Sequence, residues 1–330
     1  MNETEPVLTP PLEDSLRRVF IGPEGVRAGW RLLVFLAIVV VLAMAVNAAA
    51  RRLGHHPSAD FSAPGVIVGE LLSFAIVAIA AAIMGRFEHR RFGEYGLSFR
   101  RALGKQFWMG ALWGFVMLSF IVAMMAGSHA YRTGGLALSA QDLLKFGLLW
   151  ALGFLLVGLF EEFAFRGYVQ YTLTTGLGFW PAALITCLLF AGLHITNPGE
   201  NLVGVIEIVL IAFFLCLALR RTGNLWFAVG WHMAFDWGES FFYSTPNSGI
   251  HATGHMLNAS LMGSKWLSGG SVGPEASVFD VVVTIAGILL LARLYPDARY
   301  PTMTRLQPPP DPDALPAIVR AETTAGGEPR

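Results

Sequence analysis

The sequence has little charge for its length. Of 330 residues, 14% are Asp, Glu, Lys or Arg, while 54% are hydrophobic, and the formal net charge is zero. That composition excludes an ordinary soluble domain and points to a chain that crosses a bilayer several times. With no basic excess, nucleic acid is not an expected partner. Lysine is almost missing, with three residues against twenty arginines. Cysteine is scarce too. Cys187 and Cys216 both fall in apolar runs and are expected as small core residues rather than a disulfide or metal pair. No internal repeat is evident.

What the sequence has is long apolar runs. About twenty apolar residues are needed to cross the hydrocarbon core as a helix. Candidate runs lie near 30–50, 65–85, 107–127, 144–170, 180–196, 202–219, 224–243 and 278–295. The first follows a polar, Pro- and Glu-containing segment, 1–29, and is too long for a signal-peptide core, so it reads as an uncleaved span. The expected fold class is all-α: a polytopic membrane protein of about eight transmembrane helices over 30–295. It is flanked by a cytoplasmic N-terminal segment, 1–29, and a Pro-rich tail, 296–330, expected to be disordered. Lys and Arg collect on cytoplasmic loops. The 86–106 loop carries Arg86, Arg90, Arg91, Arg100, Arg101 and Lys105, and fifteen basic residues fall on that side against five on the other, giving N-in and C-in. The 244–277 loop then lies outside. Its His251 and His255 are spaced i,i+4, but the intervening Thr and Gly disfavour a helix, so it reads as a polar outer loop.

Charge inside these runs is the exception that needs a reason. Phe146 to Phe160 carries none, and then Glu161, Glu162 and Arg166 follow within six residues. His194 lies near the end of the fifth run, Glu207 interrupts the sixth, and His232 and Asp236 sit on the seventh. Ionisable groups at bilayer depth are costly unless paired or facing a polar cavity. Glu162 and Arg166 are i,i+4 and can pair on one face, as can His232 and Asp236. Glu161 is turned about 100° from Glu162, so one carboxylate can pair with Arg166 while the other faces a cavity. At about 1.5 Å per residue, Glu161, His194 and His232 come to similar depths. A carboxylate and two imidazoles there can activate water and stabilise an oxyanion. Two His with a Glu or Asp can equally hold Zn²⁺ with one position open for water. Glu207 alone reads as an interhelical hydrogen bond, and Glu70, Glu239 and Asp280 as interfacial.

The motifs then take a recognisable order. Glu161-Glu162-Phe163-Ala164-Phe165-Arg166 fits E-E-x-x-x-R, Phe190 to His194 fits F-x-x-x-H, and His232 to Asp236 fits H-x-x-x-N/D. Over about residues 145–240 the chain resembles the family of CAAX prenyl proteases and bacteriocin-processing enzymes, also called CPBP or Abi. The resemblance implies an α-helical intramembrane endopeptidase, expected in a bacterial plasma membrane, with its active site facing the cytoplasm. Its partners would be the lipid bilayer and a peptide or protein substrate, possibly membrane-anchored. By resemblance Glu161 activates the water with His194 assisting, Glu162 and Arg166 support it, and His232 and Asp236 stabilise the oxyanion. A divalent metal such as Zn, on candidates Glu161, His194, His232 and Asp236, stays open beside a metal-free route. An ionised Asp236 cannot donate to an oxyanion as an Asn amide can, so Asp236 is expected to fix the tautomer of His232. The alternative to a peptidase is a non-catalytic scaffold or immunity factor that keeps the fold.

Overall fold

The computed structural model describes residues 19–22, 25–54 and 61–300. Within them the chain is mostly helical. The helices are α1 (Ala28–Arg52), α2 (Ala63–Phe87), α3 (Lys105–Gly127), α4 (Ala140–Leu177), α5 (Phe179–His194), α6 (Leu202–Thr222), α7 (Trp226–Trp237) and α8 (Val278–Leu294). Each falls on one of the apolar runs. Five of them, α1, α2, α3, α4 and α6, are long and apolar enough to cross a membrane, and α5 is a shorter apolar helix of 16 residues. The chain is thus an integral membrane protein with several apolar helices.

Local chemistry sets the helix ends. Ser139 accepts from the Asp142 amide at the start of α4, and Ser277 from the Asp280 amide at the start of α8. Asn201 takes the Val203 and Gly204 amides at the start of α6. Gly223 closes α6 at φ 82°, a conformation glycine adopts without strain, and Arg220 and Arg221 sit on the last turn where the helix dipole favours cations.

Two small antiparallel pairings join the loops. Ile21–Gly22 (β1) pairs with Gly25–Val26 (β2) ahead of α1, so part of the 1–29 segment is ordered. Tyr131–Arg132 (β3) pairs with Ser260–Leu261 (β4), which ties the α3–α4 connection to the long 244–277 loop. The 244–277 loop is not a free surface excursion. Trp150 Nε1 donates to the Thr253 carbonyl at 2.9 Å, and the Met256 carbonyl accepts from the Ala137 amide at 2.9 Å. Residues 251–255 are not helical, as expected from their Thr and Gly. At the chain's end, the Arg299 amide donates to the Arg220 carbonyl and Tyr300 is buried, so the structure keeps the first residues after Pro296 docked. The rest of the expected disordered tail, 301–330, lies outside the described residues, as do 1–18.

The centre of the bundle is α7, clamped by glycines. On α3, Gly110 and Gly114 lie against the backbone carbonyls of Phe227 and Trp231, and Gly230 of α7 lies against that of Phe107. A methyl group at any of the three would overlap the facing carbonyl oxygen. On the other flank, a Cβ at Gly158 of α4 would lie 3.1 Å from the Val229 carbonyl and 3.3 Å from the His232 Cβ. Small residues let apolar helices approach to backbone contact, where packing rather than a hydrophobic driving force holds them. The effect is to fix the rotation of α7, and with it the side chains it presents.

The basic loops gather at one end of the bundle. There Glu88 receives Arg31 at 3.2 Å and the Tyr168 hydroxyl, while Arg90 donates to the Tyr171 hydroxyl at 2.7 Å. The Leu225 amide reaches the Gly96 carbonyl at 2.8 Å, and Trp226 Nε1 the Ser98 carbonyl at 2.9 Å.

Candidate active site

Glu161 and Glu162 close an ordinary stretch of α4. The next five residues, Phe163–Gly167, form a π-turn before α-helix resumes at Tyr168. Such turns interrupt the regular ladder and are frequent at functional sites. Arg166 lies within it, wholly buried, and its Nη1 donates to Glu162 Oε1 at 3.1 Å. Its guanidinium also lies over the Phe190 ring, 4.5 Å from the centroid. Behind it are Cys187 and Cys216, both buried and free, with their sulfurs 3.8 Å apart, as expected of core residues.

His232 meets this pair from α7. Its Nδ1 lies 3.1 Å from the same Glu162 oxygen that Arg166 uses. Its Nε2 lies 3.5 Å from Glu161 Oε2 and 3.5 Å from Asp236 Oδ2. One imidazole is therefore set among three carboxylates. The group on Nδ1 is Glu162, and Asp236 faces the opposite nitrogen, so orientation of the ring through Nδ1 falls to Glu162. Glu161 keeps 23% of its side chain exposed, into a cavity, whereas Glu162 is wholly buried. The 100° turn between adjacent helical positions gives the two carboxylates these different surroundings.

His194 lines the same cavity from α5. Its Nδ1 donates to the Phe190 carbonyl at 2.8 Å, because a carbonyl oxygen can only accept. That leaves Nε2 without the proton in the neutral ring. The ring rests against Phe190 with centroids 4.3 Å apart. Among the described residues it makes no ion pair with Glu161, so the structure places these two on one cavity wall without direct contact.

The cavity measures about 260 Å³. Beside Glu161, His194, His232 and Asp236, its lining includes Glu70, Glu207, Glu275 and Asp280. Reading the sequence did not place these four in the cavity wall. Glu207 makes the interhelical hydrogen bond expected of it, with the Thr284 hydroxyl at 2.7 Å; Asp280, expected at an interface, is buried 3.2 Å from the same hydroxyl. Glu239, also expected at an interface, has no exposure. Glu70, expected at an interface, brings α2 into the wall. Glu275, in the loop before α8, accepts from the Ser248 amide, and burial with Asp236 nearby pushes its carboxyl up to about 8. The available signal was the rarity of acids in apolar sequence; the pairing across distant runs left no local trace.

Loop residues that line the cavity, Phe61, Asn197, Asn247 and Ser248, belong to the end of the bundle away from the basic loops.

Among the described residues, no group of three or more His, Cys, Asp or Glu side chains is arranged to hold a metal ion. Glu162, the best-anchored carboxylate, is already committed to Arg166 and His232. The donor set as placed does not fit a zinc cage.

Residues 143–238 match the family described as type II CAAX prenyl endopeptidase, Rce1-like. They form an Rce1-like domain. This is a peptidase family, the same CPBP family that the three motifs resemble. No curated protein matches the chain. The Rce1-like segment runs from α4 to the end of α7 and so contains Glu161, Glu162, Arg166, His194, His232 and Asp236. Of the cavity wall it leaves out Glu70, Glu275 and Asp280.

Proposed function

We propose that the chain is an intramembrane endopeptidase that hydrolyses a peptide bond in the cavity between α4, α5 and α7. The observation that carries this reading is His232, held between Glu161, Glu162 and Asp236 at the wall of a cavity inside the Rce1-like segment. Glu161 is the carboxylate with access to the cavity; it takes a proton from the attacking water and returns it to the leaving amine as the C–N bond breaks. His194, with Nδ1 engaged by a carbonyl, offers Nε2 to the same water. His232 acts as the imidazolium, Nδ1–H on Glu162 and Nε2–H presented to the carbonyl oxygen of the scissile bond, where negative charge develops. Asp236 balances that charge from the Nε2 side. Glu162 and Arg166 fix the ring and do not touch substrate. No step in this route is assigned to a metal.

The substrate is a peptide or protein segment reaching the cavity, membrane-anchored where the family's prenylated substrates are the guide. We further propose eight spans, with the basic end in the cytoplasm by the distribution of Lys and Arg. The cavity then opens to the opposite side, in place of the cytoplasm-facing site that the resemblance implied.

The deciding experiment is cleavage of a quenched peptide library by detergent-purified protein, wild type beside Glu161→Gln, with and without a chelator. Wild-type cleavage that falls roughly 10²–10⁴-fold in the variant is the expected result. Equal cleavage by both would remove Glu161 from the chemistry. Loss on chelation, restored by zinc, would overturn the metal-free route.

A further inference from the structure

His232 is one donor among many acceptors. Six carboxyl side chains line the cavity, and no lysine or arginine does. The imidazole N–H available to a scissile carbonyl, on Nε2, lies 3.5 Å from both Glu161 and Asp236, so two carboxylates compete for it. An ionised carboxylate accepts hydrogen bonds and donates none. An oxyanion formed among these acids therefore needs a second N–H or O–H close to His232 Nε2. Asn247 carries one. It lines the same cavity from the 244–277 loop, outside the Rce1-like segment, and its side-chain amide donates to the Asp236 carboxylate. An amide nitrogen has two N–H groups. Asp236 takes one, and among the described residues the buried nitrogen has no further partner. Asp236 thus stands between the two donors, with His232 Nε2 on one side and the Asn247 amide on the other.

The loop holds this side chain in place. Asn247 and Ile250 exchange both backbone hydrogen bonds, each at 2.9 Å, and Ser248 and Gly249 between them have φ 49° and 81°. Two successive positive φ angles are those of the tight turn that closes a hairpin. The turn is tied down at both central residues. The Ser248 amide donates to the Glu275 carboxylate, and the Gly249 amide to the Val272 carbonyl at 2.9 Å. A Cβ at Gly249 would overlap the Pro198 carbonyl oxygen, so the turn also sits hard against the segment after α5. Glu275 therefore serves the site by anchoring the turn beside Asn247. A donor fixed in advance needs no reorganisation when charge appears, which is what makes an oxyanion site effective.

We propose that Asn247 is a catalytic residue whose second amide N–H completes the oxyanion site with His232 Nε2–H. This rests on the endopeptidase reading of the Glu161–His232 site. The water oxygen bonds to the carbonyl carbon as Glu161 takes its proton, and the C=O π pair moves onto the carbonyl oxygen, where the two N–H groups meet it. The pair then returns to re-form C=O. The C–N bond breaks with its electrons leaving on nitrogen, which takes the proton held by Glu161. Asp236 is the acceptor that orients the Asn247 amide.

The test uses the full-length protein and the library peptide that the wild type cleaves best. In Asn247→Ala, kcat is expected to fall about 10²–10³-fold while KM stays within about threefold of wild type. A phosphinic analogue of that peptide carries a charged oxygen where the oxyanion forms. It is expected to bind the variant about tenfold or more weakly, whereas the same peptide with an N-methylated, uncleaved bond binds both proteins alike. Asn247→Asp, which keeps the shape and has no N–H, is the second variant should the first not fold, and its loss should be at least as large. Wild-type kcat in a folded variant would overturn the assignment while leaving the peptidase reading intact. So would a loss confined to KM, or a loss of kcat with undiminished affinity for the phosphinic analogue, since either makes Asn247 a support for the loop. Absence of any Glu161-dependent cleavage by the wild type would overturn the peptidase reading and the role of Asn247 together.

Discussion

Two π-turns interrupt the helices that bear the site, and their buried charges end in opposite conditions. Phe163–Gly167 follows Glu161 and Glu162 on α4, and Gly238–Phe242 follows His232 and Asp236 on α7. Each widens a helix by a residue just past its functional side chains. The first turn buries Arg166 and pairs it with Glu162. The second buries Glu239, whose carboxyl has no counter-charge beside it among the described residues. Its backbone carbonyl accepts from the Thr245 amide at 2.9 Å and hydroxyl at 3.1 Å. The same backbone device thus serves two ends. In α4 it completes a charge pair that orients His232. In α7 it turns the chain into the 244–277 loop and leaves a buried carboxyl without a counter-charge.

The comparison is broken most forcefully at Arg166. Truncating one partner of a buried pair leaves the other charge uncompensated, at a cost of about 3–5 kcal/mol. Arg166→Ala is expected to lose about that much in denaturant unfolding of the detergent-solubilised protein, and with it the fixed position of His232. A loss under about 1 kcal/mol would mean that Glu162 is supported by something other than this guanidinium.

Next comes the clamp that sets both helices. In Gly230→Ala, the added methyl meets the Phe107 carbonyl, so α3 and α7 must separate. Overpacking of this kind costs about 1–3 kcal/mol. Thermal unfolding should show it, and cleavage should fall further than stability does, because His232 rides on α7. Unchanged cleavage in the folded variant would show that the site tolerates rotation of α7.

Much of this was legible in the sequence, for reasons that can be named. Apolar runs of twenty residues mark helices, and each of the eight runs is helical. Charges inside such runs stand out, so Glu161, Glu162, Arg166, His194, His232 and Asp236 could be singled out. Helical spacing pointed to the Glu162–Arg166 pair, which lies within one helix. Contacts between helices left no such mark. That Glu162 rather than Asp236 meets His232 Nδ1 depends on how α4 crosses α7. Thr284 reaches Glu207 across 77 residues of sequence. The π-turns shift the spacing without altering composition. The 244–277 loop looked like a surface excursion because its Gly and Ser content hides how Trp150, Ala137 and Tyr131 tie it down.

The finest test of the comparison is Glu239, where the expected effect is smallest and opposite in sign. Methionine has a similar length and no polar atom that needs a partner. Glu239→Met removes a buried carboxyl without a counter-charge, whose desolvation costs about 1–3 kcal/mol, and sets against it some imperfect packing. A net gain of about 1 kcal/mol in unfolding free energy is expected, in contrast to the large loss at Arg166. If the variant is instead destabilised, Glu239 has a partner in the membrane-embedded protein, and the two π-turns are alike after all. If it is stabilised but cleaves less well than wild type, the carboxyl is kept for the site, and the second turn serves catalysis as the first serves the orientation of His232.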